Sequence, residues 1–162
     1  NWQSTEYPRS KSNSMRVLAI DPGTSSGWYW TDGETIRLTT FICSKNYSKG
    51  QKLASFFKYG KLFKNLDHVI YEDPYVSSFR SARFQYAMTG LIEVIAAKHN
   101  AELTVLHPTT LKKFATGSGR AVKDEMIALA KERCLVPVND EHQADAYWLY
   151  MLWKNNWDNK NG

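Results

Sequence analysis

Three acidic residues occur where the pattern around them would bring them within reach of one cation. Asp21 ends the apolar run of residues 16–20 in "RVLAIDPGTSSGW", Glu72 follows "HVIY", and Asp145 lies near the start of the helical stretch "EHQADAYWLY". In open α/β sheets, reactive groups gather at the carboxyl ends of strands. If the strands ending at Asp21 and Glu72 are neighbours, both carboxylates reach one cation, which offsets the cost of crowding two negative charges. Helical spacing sets His142 three residues and Glu141 four residues before Asp145, so either shares its face. The helix dipole there also favours negative charge. Plainer readings exist: Asp21-Pro22-Gly23 is ordinary turn chemistry, Glu72 before Asp73 and Pro74 suits a hydrated strand end, and His142 suits a surface position near a helix cap. Asp145 is harder to set aside, because an unpaired acid among apolar neighbours is costly.

A second group of residues is basic. The chain of 162 residues carries a net charge of +5 and a pI near 9.1, which suits a polyanionic partner. Lys112, Lys113, Arg120 and Lys123 bracket "FATGSG", while Arg80 and Arg83 lie beside Tyr75 and Phe79. Cations interleaved with glycine and aromatics fit a surface that tracks phosphates and stacks bases. A solvated loop and helix face would have the same composition. Cys43 and Cys134 are far apart and lack metal-ligand spacing, so neither a disulfide scaffold nor a structural zinc site is expected. There is no G-x-x-x-x-G-K-[ST] phosphate loop. No apolar run approaches the roughly 18 residues of a membrane span, and no secretory signal opens the chain, so a soluble, cytoplasmic protein is expected.

The elements that must position these residues are legible in outline. Residues 1–14 are polar and aperiodic and read as a disordered extension or an expression remnant, with Met15 as the natural start. Strands are predicted over 16–20, 27–31 and 35–42, joined by Gly-containing turns into an antiparallel meander. Helical spacing follows over 49–66, a buried strand over 68–72, a long helix over 81–99 and a strand over 102–106. Pro108 opens a further helix that "GSG" interrupts, helix resumes over 121–134, and Asn139 or Asp140 caps the last helix. Strands that alternate with helices late in the chain imply parallel neighbours, so the expected class is α/β, a mixed sheet with helices on both faces. One domain over 15–157 and a flexible tail over 158–162 complete the division.

Together, "AIDPGTSSGW", "VIYEDPY", "TTLKKFATGSGRAVKDEM" and "HQADAYWLY" resemble the RuvC family of Holliday-junction resolvases, a branch of the RNase H-like superfamily, and look closest to its phage-encoded members. The resemblance spans about Met15 to Trp153, with the four motifs in the family's order. It implies an RNase H-like sheet and a homodimer that nicks two opposing strands of a four-way DNA junction. It also implies two Mg²⁺ or Mn²⁺ ions per active site, with Asp21, Glu72, His142 and Asp145 as metal ligands and catalytic residues. Asp21 would bridge the ions, and Glu72 and Asp145 would each complete one shell. His142 falls where many members carry Asp, and imidazole suits Mn²⁺ better than Mg²⁺; Glu141 and Asp140 are candidate substitutes for the missing carboxylate. By position, Lys112 and Lys123 would meet junction phosphates, and Tyr75 would stack near the strand-exchange point; Lys113, Arg120, Arg80 and Arg83 are candidates by charge. Helix 81–99 is the expected dimer interface. A broader nuclease for flaps, forks and three-way junctions, a non-enzymatic branched-DNA binder and an actin-like phosphotransferase are the competing readings. The last is built from two similar domains, and this chain has room for one.

Overall fold

In the computed structural model, residues 14–74 and 78–162 are described, 80 and 81 as backbone only. The chain runs β1 (Val17–Asp21), β2 (Ser25–Thr31), β3 (Ile36–Ile42), α1 (Lys49–Gly60), β4 (His68–Glu72), α2 (Phe79–Lys98), β5 (Glu102–Leu106), α3 (Pro108–Thr116), α4 (Lys123–Arg133) and α5 (Glu141–Asn161). The five strands form one sheet in the order β3-β2-β1-β4-β5. The first three are the antiparallel meander expected, and β1, β4 and β5 run parallel.

Period-2 alternation divides each central strand between two cores. Val17, Ala19, Tyr29 and Ile70 face α3, α4 and α5, where they meet Leu111, Met126, Ala144 and Trp148. Leu18, Ile20, Trp28, Val69 and Tyr71 face α1 and α2, where they meet Phe56, Met88, Ile92 and Ile95. Strands buried on both faces explain why β1 and β4 are nearly continuous apolar runs.

The helix boundaries have local causes. Ser48 and Gln51 form a reciprocal capping box at the start of α1. Pro108 occupies the first turn of α3, and Gly117, with φ 84°, closes it in the left-handed conformation. The helix expected over 49–66 stops at Gly60 instead. A Cβ there would lie 2.4 Å from Ile95 Cδ1, and the chain beyond loosens into turns ending at Asn65, with φ 54°. Phe63 then folds back to stack on Trp28 at 5.4 Å, so residues with helical spacing reach the core from a loop. At the other end, α5 continues through the stretch assigned by sequence to a tail. Lys154 Nζ donates to Asp158 Oδ2 at 2.8 Å, and Asn161 Nδ2 donates to the Trp157 carbonyl at 2.9 Å, which supports the extra turn. Among the described residues no helix is long and apolar enough to cross a membrane.

Candidate active site

Asp21 is the last residue of β1 and Glu72 the last of β4. The parallel register pairs Ile20 with Tyr71, so the next residues, Asp21 and Glu72, emerge side by side at the carboxyl edge of the sheet. The adjacency on which the metal reading depended is therefore present.

The other two side chains arrive on α5. Asp140 is its N-cap, accepting from the Gln143 amide at 2.9 Å, which settles the choice between Asn139 and Asp140. The Thr40 hydroxyl of β3 donates to Asp140 Oδ2 and accepts from Gln143 Nε2 at 3.2 Å, while Gln143 Oε1 accepts from the Asn139 amide at 3.0 Å. This closed network pins the start of α5 to the sheet. Contact is then made possible by Gly27, the residue paired with Asp21 across β1 and β2. A Cβ on Gly27 would lie 1.8 Å from the His142 carbonyl oxygen, so only glycine admits the helix this close. His142 Nδ1 consequently lies 3.4 Å from Asp21 Oδ2, with the two side chains 27% and 15% exposed.

Asp21, Glu72, His142 and Asp145 line one open cleft of about 870 Å³, together with Lys112 and Lys123. The electrostatics are those of crowded acids. Burial, then the charges of Asp21 and Asp145, push the Glu72 carboxyl up to about 8, against the pull of Lys112 and Lys123. Burial and Asp21 push Asp145 up to about 7. Asp21 is also raised by burial, although the His142 hydrogen bond opposes it, and the same bond raises the imidazole. Three carboxyls that resist ionising together are a site in which positive charge would be strongly stabilised. Among the described residues, however, no three His, Cys, Asp or Glu side chains already stand together as a metal-binding group. The donor set suits a hard divalent cation, and side-chain rotation must bring the oxygens together around it.

Neither candidate substitute for the missing carboxylate is idle. Asp140 is used as the cap. Glu141 Oε2 accepts from Lys123 Nζ at 2.8 Å, and its Oε1 lies 3.6 Å from His142 Nε2. Of the other candidates, Lys113, Arg120 and Arg83 are exposed and lie outside the cleft lining, Tyr75 lies outside the described residues, and so does the Arg80 side chain. Sequence reasoning missed Gly27 as a contact residue and the Thr40–Asp140–Gln143 network. The polar Gln143 between His142 and an apolar run was the available signal, since a buried amide demands partners.

No family model matches the sequence. The chain is 29% identical over 129 residues to the crossover junction endodeoxyribonuclease RuvC of Rickettsia rickettsii, covering 72% of this chain and 81% of that one. It is 27% identical over 128 residues to RuvC of Dictyoglomus thermophilum, covering 73% and 81%. Among solved structures, Thermus thermophilus RuvC in complex with Holliday junction substrate superposes with a TM-score of 0.69 at 19% identity, covering 83% of this chain and 90% of that one. Fowlpox virus resolvase, in complex with its substrate Holliday junction DNA, gives 0.57 at 16%, covering 86% and 99%. The structural likeness establishes the RNase H-like fold shared by RuvC and the resolvases, and the sequence likeness reaches the nuclease RuvC itself.

Proposed function

We propose that this protein is a metal-dependent endodeoxyribonuclease that resolves four-way DNA junctions by paired symmetric nicks, leaving 5′-phosphate ends. The observation that carries the reading is the convergence of Asp21 and Glu72, at the ends of adjacent parallel strands, with His142 and Asp145 from α5 in one cleft. Divalent cations held there, Mg²⁺ or Mn²⁺, would supply activated water and neutralise charge on the scissile phosphate. Asp21, Glu72 and Asp145 are the oxygen donors, and giving up their protons is a condition of holding the ions. His142 either completes the donor set or holds a proton near the attacking water. Lys112 and Lys123 line the cleft and would meet phosphates beside the acids. Tyr75, three residues past Glu72, is the proposed stacking residue at the exchange point.

Paired nicks need two sites related by a two-fold axis. On α2, Phe79, Tyr86 and Val94 are 83%, 55% and 43% exposed. With Gly90, whose Cβ position is open, they share one helical stripe. This supports a dimer through α2.

The test is cleavage of an immobile four-way junction, a three-way junction and a linear duplex, with Mg²⁺ or Mn²⁺, by the protein and by Asp21→Asn. Paired symmetric nicks on the four-way junction, lost in the variant while binding persists, are expected. Equal cutting of all branched forms would make this a broader branched-DNA nuclease. Binding without cutting in either metal would make it a structural DNA binder.

A further inference from the structure

We infer that Glu141 is an internal stand-in for a DNA phosphate: its carboxylate holds Lys123 at the rim of the cleft in the free protein and gives it up when DNA enters. The inference rests on the proposal that DNA enters this cleft. Lys123 opens α4 and Glu141 opens α5, so the two helix starts meet at the cleft mouth through one hydrogen bond of 2.8 Å. Lys123 also lines the cleft beside Asp21, Glu72 and Asp145. It is thus a cation beside the acids but hydrogen-bonded to a carboxylate that the metal reading does not need.

Two further features fit an exchangeable pair. The side chains are 69% and 38% exposed, so the pair sits largely in water and is held weakly. The residue before α4, Val122, occupies the N-cap position without a side-chain hydrogen bond, so no side chain competes there with an incoming anion. A phosphate arriving beside Lys123 would meet the ammonium and the amide end of α4, whose first turn also carries the acids Asp124 and Glu125, so the lysine is the main attraction. Glu141 would then be left with its other neighbour, His142 Nε2, 3.6 Å away.

The exchange has a signature that general repulsion between an acid and DNA lacks. The condensed cations sit on the DNA, and a phosphate that pairs with Lys123 releases its share of them; the Glu141 carboxylate left behind takes up a cation in exchange, so this pairing alters the salt dependence less than pairing a free lysine would. Junction binding is measured by fluorescence anisotropy in EDTA, where no cutting occurs, across a KCl series for the wild type, Glu141→Gln, Lys123→Gln and the double variant. Glu141→Gln is expected to tighten binding by about 1.5- to 5-fold at fixed salt, the range of an exposed ion pair. It should also steepen the slope of log K against log salt by up to about 0.9. In the Lys123→Gln background the same substitution should change neither. Equal tightening in both backgrounds, or none in either, overturns the inference. A wild type that binds no junction at any salt overturns the proposed function instead.

Discussion

Glu72 holds its proton to about 8 and Asp145 to about 7, where ordinary values are 4.5 and 3.8. The sign of the effect on stability follows from which state binds more protons. Between about pH 4.5 and pH 8 the unfolded chain releases the Glu72 proton while the folded chain retains it, so stability falls as pH rises through that window and levels off above it. Each tenfold rise in proton affinity corresponds to roughly 1.4 kcal/mol, and relaxation and water entry return part of it. Glu72→Gln should therefore be more stable than the wild type at pH 8 by roughly 1–3 kcal/mol, with little difference at pH 4.5. Urea unfolding in EDTA at the two values checks this; an equal pH dependence in both proteins would refute the crowding argument. The same substitution should abolish nicking, so one residue would trade stability against function.

At the scale of elements, the site depends on how closely α5 approaches β2. Gly27→Ala puts a methyl group 1.8 Å from the His142 carbonyl oxygen, and backbone on both sides cannot swing away as a side chain would. The helix start must shift, at a cost of about 2–3 kcal/mol, typical of overpacking. His142 and Asp145 would move with it away from Asp21, so nicking should fall further than folding. Gly50→Ala, with open space at its Cβ position near the start of α1, is the control, expected to be neutral or stabilising by about 0.5–1 kcal/mol. Thermal unfolding beside a nicking assay separates the two. This contrast also marks what was legible in the sequence. Apolar runs punctuated by Asp-Pro-Gly and Asp-Pro gave the strands and placed both acids at their ends, because those signals are local. Gly27 read as the start of a strand and lies inside β2, but nothing near it in sequence reveals a helix arriving from residue 142. The end of α1 was missed for a related reason: Phe63 keeps helical spacing while stacking on Trp28 from a loop. Thr40, Asp140 and Gln143 are joined across about 100 positions, and no periodicity records that.

For the whole molecule, the acids cannot be treated as a detachable patch. α5 carries His142 and Asp145 at one end, buries Trp148 and Leu149 in the core along its middle, and covers His68 with Trp153 and Trp157 toward its far end. Its 21 residues span about 30 Å, so one rigid element links the site to the opposite edge of the sheet. A cation that binds only the folded arrangement therefore stabilises the fold as a whole by mass action. At 100 times its dissociation constant the gain is about 2.7 kcal/mol, or roughly 5–10 °C in Tm for a domain of this size. The gain should be large at pH 8, where protons compete less for Glu72 and Asp145, and should shrink toward pH 6. Calorimetry with and without Mn²⁺ at both pH values measures it, and Asp21→Asn should reduce it at pH 8. A gain that is the same at both pH values, or unchanged in the variant, would place the cation away from these carboxylates and separate the charge crowding in the cleft from the chemistry proposed for it.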